Sequence, residues 1–247
     1  MLKRLAAPAL IASLALPATA LDLDEMTEAE RAAFGAEVRA YLMENPEVIM
    51  EAVELLQQRE AEEQARADFD LVADNADAIF DDGYSWVGGN PDGDIVLVEF
   101  LDYRCGYCKR AHGEVARLLE EDGNIKLIVK EFPILGEQSL LASRWAVATK
   151  QVAGDEAYKD MNDALMAFRG DVTVPALRRL GETYGLDVDA IEAALNSEEV
   201  TQVIADTRAL AQKLQITGTP TFVMQDELLR GFLPFDGMME MVEQKRG

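Results

Sequence analysis

The 247-residue sequence predicts an α/β fold with a helical insertion and a helical extension in front, and three observations carry that prediction. "DIVLVEFLD", residues 94–102, is an apolar, valine-rich run, the pattern of a strand covered on both faces. An amphipathic stretch, "CGYCKRAHGEVARLLEE", and a second apolar run, "NIKLIVKEFPIL", come next, so strand, helix and strand have the lengths of a βαβ unit. After a long helical tract, "TPTFVM" and "ELLRGF" read as two short strands around Gln225-Asp226, and "FDGMMEMVEQKR" closes as a helix.

Residues 1–20 read as a signal peptide. Lys3 and Arg4 precede an apolar run from Leu5 to Leu16, and Ala18-Thr19-Ala20 offers a small-x-small cleavage site. The run is short for a hydrocarbon core of roughly 30 Å, although an uncleaved anchor is the competing reading. Residues 21–80 form the helical extension. Phe34, Val38, Tyr41 and Leu42 recur at helical spacing, and "ENPEVIMEAVELLQQRE" restarts the pattern, with Asn45 as N-cap and Pro46 at the first helical position. Ile49, Val53 and Leu56 make a narrow stripe that dissolves into polar sequence. Such a stripe docks either on the chain's own core or on the same stripe of another subunit.

"DDGYSWVGGNPDGD", residues 81–94, is rich in turn formers and marks the start of the main domain, 81–247. In the helix after the first strand, Val115, Leu118 and Leu119 fall on the inner side. The insertion occupies about 138–214, with breaks near Gly154, Gly170-Asp171 and Tyr184-Gly185.

The net charge of −23 excludes a nucleic-acid partner, whose phosphates demand a basic surface, and disfavours anionic membranes. Loss of residues 1–20 would leave the chain more acidic still.

The sequence has two cysteines, Cys105 and Cys108, with two residues between them. A disulfide across so short a loop constrains the unfolded chain little, which makes it a weak staple. A zinc site needs more ligands than a pair of cysteines and His112, the only histidine, supply, although two thiolates alone can hold Cu(I). A reactive dithiol is the reading that spacing and context favour. Cys105 falls at a strand–helix junction, where unpaired N–H groups and the helix dipole favour thiolate; Cys108 lies one turn inside. Cys105 is therefore the expected nucleophile and Cys108 the resolving thiol. Arg104 and Lys109 either add positive potential there or are solvated.

Glu99 interrupts an otherwise apolar strand. It either faces outward near the strand end or is a buried acid that exchanges a proton with Cys108. Lys126 and Lys130 are the candidates to neutralise it. Pro220 stands at a strand start, where it withholds no ladder hydrogen bond; on frequency alone its peptide bond would be trans. His112 reads as a surface or packing residue before a base, Trp86 and Trp145 as core. Met224, Met238, Met239 and Met241 read as core filling ahead of a copper or peptide site.

The acid in a strand, C-x-x-C six residues later at a helix start, and Thr-Pro before the last strands resemble the thioredoxin superfamily. The helical insertion between "EFPILG" and "TGTPTF" resembles its DsbA-like branch. The resemblance, over about residues 84–247, implies a thioredoxin fold with Pro220 cis against the cysteine pair, Thr219 offering backbone to a substrate strand, and Glu99 buried beneath. The extension is similar to that of the suppressor-of-copper-sensitivity protein C group, which includes trimeric disulfide isomerases assembled through this region. Gly106-Tyr107 between the cysteines and Thr219 before the proline resemble periplasmic isomerases; strong oxidants carry a Pro-His dipeptide and valine instead.

The function that the resemblance implies is that of a periplasmic thiol–disulfide isomerase or reductase. It would act on substrate proteins with cysteines through Cys105, Cys108 and Glu99, with Thr219, Pro220, Gly106 and Tyr107 at the substrate. No cofactor and no resident metal are expected. A membrane partner would supply electrons, and a homo-oligomer, a trimer in the resembling group, would form through residues 21–80. The alternatives are a dithiol oxidase and a copper-binding or copper-protective protein that uses the thiols as ligands.

Overall fold

The computed structural model describes residues 26–247, so the signal-peptide expectation lies outside the described residues. The described residues divide into two compact units, one ending at Arg59 and one spanning Glu60–Gly247. In the first, α1 (Glu28–Glu44) opens with a capping box: Thr27 accepts from the Glu30 N–H, and the Glu30 carboxylate accepts from the Thr27 N–H. Asn45 closes α1 rather than opening α2 (Glu47–Asp74), since its side chain donates back to the Tyr41 carbonyl. Phe34, Val38, Tyr41, Ile49, Val53 and Leu56 all stand exposed.

The second unit is built on a five-stranded sheet. Its strands are β1 (Trp86–Gly89), β2 (Ile95–Leu101), β3 (Ile125–Glu131), β4 (Thr221–Met224) and β5 (Glu227–Arg230), in the order β1-β3-β2-β4-β5. β2 and β3 are parallel, joined by the crossover helix α4 (Gly106–Asp122), and the other pairs are antiparallel. The edge strand β1 corrects the reading of 81–94 as turn sequence. Four residues long and half glycine, it carries almost no strand signal.

Side chains alternate across β2 and β3, so each strand feeds two cores. Leu97, Leu101, Leu127 and Val129 face α4, α5 (Glu137–Ala167) and α9 (Phe235–Arg246). On the other face, Val98, Phe100 and Ile128 pack with Leu210 of α8 (Glu198–Lys213), with Leu214, and with Val72 and Ile79. Ile79 lies on α3 (Ala76–Phe80). Residues 60–80 thus pack with the sheet. Buried Asp68 of α2, paired bidentately with Arg230 of β5, helps hold them there.

α4 buries Cys108, Ala111, Val115 and Leu118, spaced three and four apart, and stops at Gly123, which takes a left-handed φ of 72° as helix C-caps commonly do. α5 breaks at Gly154, whose φ of 87° lets two helical pieces meet. α6 (Val174–Thr183), α7 (Val188–Ala194) and α8 start on side-chain caps from Thr173, Asp187 and Ser197. Met224 and Met238 fill the core, with Met239 and Met241 packed against it. Among the described residues, no helix is long and apolar enough to cross a membrane.

Candidate functional site

The site forms where β2 ends. Asp102, fully buried, accepts from the Arg104 N–H at 2.7 Å, which turns the chain towards α4. Its second oxygen accepts from the Ile134 and Leu135 N–H groups at 2.8 and 3.0 Å, tying this turn to the loop after β3. Cys105 comes next as the N-cap of α4, with its carbonyl accepting from the Lys109 N–H. The unpaired N–H groups of the first turn and the aligned peptide dipoles therefore converge near its sulfur, an arrangement that suits negative charge.

Both cysteines are free thiols, and they differ in access. Cys105 is 8% exposed and Cys108 is sealed at 0%. Burial pushes the Cys108 thiol well up, opposed by the Asp102 N–H, which donates to its sulfur at 3.5 Å, and by the Thr219 side chain. The Thr219–Pro220 peptide is cis, and the Cys105 thiol donates to the Thr219 carbonyl at 3.1 Å. The structure thus brings Cys105, Cys108, Thr219 and Pro220 together from the two ends of the domain.

Glu99 lies two residues before the end of β2, between Val129 of β3 and Phe222 of β4. It is 2% exposed, which overturns the outward-facing alternative. Its Oε1 has no hydrogen-bond partner among the described residues, and burial pushes the carboxyl up to about 7; His112 opposes the rise and nearby Glu131 adds to it. Neither lysine neutralises it. Lys126 and Lys130 align with Val96 and Phe100 and so face the opposite side of the sheet, where Lys130 pairs with Asp82.

Gly106 and Tyr107 are exposed at the mouth. The Arg110 guanidinium lies 5.5 Å from the ring centre of Tyr107 and 5.0 Å from that of Phe232, and the two rings are themselves 6.3 Å apart, a three-membered cation–π cluster on the rim. Arg104 and Lys109 are engaged with protein carbonyls, donating to Gly170 at 2.6 Å and Phe168 at 2.5 Å, just past α5. His112 contacts Asp163 of α5 at 2.9 Å and lines, with Glu99, a cavity of about 40 Å³.

Sequence reasoning missed Glu131. Buried at the end of β3, it accepts from the Tyr103 hydroxyl at 2.6 Å and the Tyr158 hydroxyl at 2.7 Å, and Asn162 donates to the Tyr103 oxygen at 2.9 Å. Burial pushes its carboxyl up to about 7 as well. The signal that flags Glu99, an acid inside an apolar strand, is present at Glu131 too. Arg110 and Phe232 carry no such signal, because their contact joins distant segments. Among the described residues, no group of three or more His, Cys, Asp or Glu side chains is arranged to hold a metal.

A cysteine pair at the start of the crossover helix, facing a cis proline across the sheet, defines a thioredoxin-fold oxidoreductase site. Residues 96–243 match the model of the DSBA-like thioredoxin domain, and residues 30–63 match that of the copper resistance protein ScsC N-terminal domain. The chain belongs to the DsbA-like thioredoxin family, whose members are thiol–disulfide oxidoreductases.

A thioredoxin-like oxidoreductase from Silicibacter pomeroyi superposes with a TM-score of 0.66 at 40% identity, covering 70% of this chain and 98% of that one. BcfH from Salmonella enterica Typhimurium gives a TM-score of 0.71 at 28% identity, covering 88% and 96%. Disulfide bond formation protein D of Bacillus subtilis is 25% identical over 169 residues, 64% of this chain and 75% of that protein. The chain also matches Na(+)/H(+) antiporter NhaA 1 of Salinispora arenicola, 28% identical over 55% of this chain, but spans only 21% of that relative's length.

Proposed function

We propose that this protein exchanges thiols and disulfides on extracytoplasmic proteins, working as an isomerase or reductase. The observation that carries the reading is the placement of Cys105: at a helix N-terminus, slightly exposed, with its sulfur 3.1 Å from the carbonyl before a cis proline. Cys105 attacks a substrate disulfide and holds the substrate as a mixed disulfide beside Thr219-Pro220, with Gly106 and Tyr107 at its edge. If another substrate thiol displaces Cys105, the substrate has been isomerised. If Cys108 displaces it, losing its proton to Glu99, the substrate has been reduced and the protein carries the disulfide. A reduced dithiol partner, held at the membrane in this reading, then restores the pair.

The resemblance of Gly106-Tyr107 and Thr219 to isomerase motifs supports the direction. So do the exposed apolar side chains of residues 34–56, which suit association of copies into an oligomer, a trimer by that likeness, through residues 21–80. Residues 81–247 would then act as the catalytic domain with its insertion at 138–214, and residues 1–20 as the signal that directs the chain to the periplasm. A similar structure from Salmonella enterica serovar Typhimurium is that of a periplasmic thioredoxin-like protein, which fits that compartment.

The first experiment asks whether the reduced protein restores activity to a ribonuclease with scrambled disulfides. Recovery well above that with a small-molecule thiol is the expected result. A second reading, dithiol oxidase, is favoured by the similarity to disulfide bond formation protein D. Failure to recover scrambled ribonuclease, with rapid oxidation of the reduced enzyme by the disulfide form, would select it. Tight Cu(I) binding with no exchange at all would select the copper-protective reading.

A further inference from the structure

Cys108 poses a proton problem that the cysteine pair alone does not solve. Its thiol is sealed, and so is Glu99, the acid beneath it. A proton passed to Glu99 must still leave the core. Beside Glu99 lies the cavity of about 40 Å³, which is large enough to hold a water. Its lining is apolar, from Trp86, Val115 and Leu127 among others, except for Glu99, His112, Asn162 and Lys159.

His112 lies four residues after Cys108 on α4, on the adjacent turn of the same face. Its side chain is 27% exposed, so the ring spans from the cavity wall towards the surface. Asp163 contacts Nε2 at 2.9 Å and is itself paired with Lys159, which fixes the ring.

We propose that His112, held by Asp163, is the relay through which Glu99 exchanges its proton with solvent, by way of water in the cavity between them. This rests on the dithiol reading above and adds the exit route to it. During reduction of a substrate, the Cys108 S–H proton passes to the Glu99 carboxylate. The Cys108 sulfur pair forms the bond to Cys105; the Cys105–substrate S–S bond breaks, and the substrate sulfur leaves with its electron pair as thiolate. Glu99 hands its proton through water to the His112 ring, which releases it to bulk, where the departing thiolate takes one up. The substrate is reduced and the protein oxidised, with a reduced dithiol as the eventual electron donor.

The titratable and charged groups around Glu99 come from each packed element. Cys108 and His112 face it from α4, Glu131 from β3, and Tyr158 and Lys159 from α5, with Asp163 behind His112. His112 both lines the cavity and reaches the surface, and its ring carries two nitrogens, so one can take up a proton while the other releases one.

The test uses the reduced full chain and oxidised glutathione, tracking how fast the mixed disulfide on Cys105 collapses, by acid quench and mass spectrometry. His112→Gln keeps polarity and bulk but cannot carry the proton. It should slow collapse about tenfold at neutral pH and remove one inflection from the pH–rate profile. His112→Ala should be slowed likewise and recover when millimolar imidazole is added, an effect that lost packing would not produce. Native rates and profiles in both variants would overturn the relay, as would a slowed His112→Ala that imidazole leaves unchanged. Cys105→Ala separates the two levels: exchange surviving it overturns the dithiol reading itself, whereas a dead Cys105→Ala beside native-like His112 variants overturns only the route.

Discussion

The Cys105 sulfur and the Thr219 carbonyl oxygen lie 3.1 Å apart although 114 residues separate them in the chain. α4, β3 and the helical insertion fill that interval, so the contact exists only when the βαβ and ββα halves close on one sheet. The carbonyl that receives the thiol belongs to the peptide segment against which a substrate strand would lie. If Cys105 is the nucleophile and Thr219-Pro220 the docking edge, as proposed above, one contact sets both.

The difference in access between the two sulfurs gives the first prediction. Cys105→Ala should abolish exchange, because the remaining thiol is buried and held protonated. Cys108→Ala should keep the attack but lose the resolving step, so mixed disulfides accumulate on Cys105. Mass spectrometry after mixing with a cystine peptide, without reductant, distinguishes the two.

Glu99 predicts a pH dependence of stability. Its folded value, about 7, stands above the ordinary 4.5. Between those values the folded state keeps a proton that the unfolded chain has released. Stability therefore falls as pH rises through that window, and the loss is complete above it. Glu131 adds a second decline over the same window. Each shift corresponds to about 3 kcal/mol as an order of magnitude. In urea unfolding, Glu99→Gln should gain on the native protein from about pH 5 to about pH 8. A native stability that rises over that range would contradict the raised values.

Asp102 holds three N–H groups with one carboxylate. Asp102→Ala leaves all three without that acceptor and should cost about 3 kcal/mol or more, with Asp102→Asn intermediate. Chemical denaturation reads the loss. Because the three donors belong to the loops beside both cysteines, the variant should also react more slowly with a cystine peptide.

On the first unit, Ile49→Glu with Val53→Glu alters exposed positions, so the fold of the second unit should be unchanged. If these side chains form the seam between copies, the native mass should fall to that of a monomer in light scattering, and isomerase activity should drop with it. An unchanged mass would remove the extension from assembly.

Much of the domain is legible in the sequence because it rests on local signals. Apolar runs mark β2 and β3, and Gly154 and Gly185 mark breaks in the insertion. The cysteine spacing points at a site that the fold then assembles. The features that escape depend on partners far away in sequence. β1 is stabilised by pairing with β3, not by its own residues, and Trp86 settles by donating to the Asp155 carbonyl, 69 residues on. Asp68 gives no hint that Arg230, 162 residues later, will bury it, so the end of α2 reads as solvated extension. Lys130 is a plausible partner for Glu99 only while the register is unknown. One residue of parity along β3 turns it to the other core. Ser197 escapes notice as a helix start because its cap lies inside a tract already helical on both sides.

Arg104 and Lys109 flank Cys105 in the sequence, yet each grips main-chain oxygen at Gly170 or Phe168. A latch that closes on backbone is indifferent to the side chains around it. Exposed Arg169 and Asp171 can therefore change identity, provided the carbonyls keep their place, while the φ of 106° holds position 170 to glycine and Phe168 packs against the core. The segment is free to vary in the shape and charge it shows to incoming proteins without loosening the machinery beneath, much as a tool head is exchanged on a fixed shank.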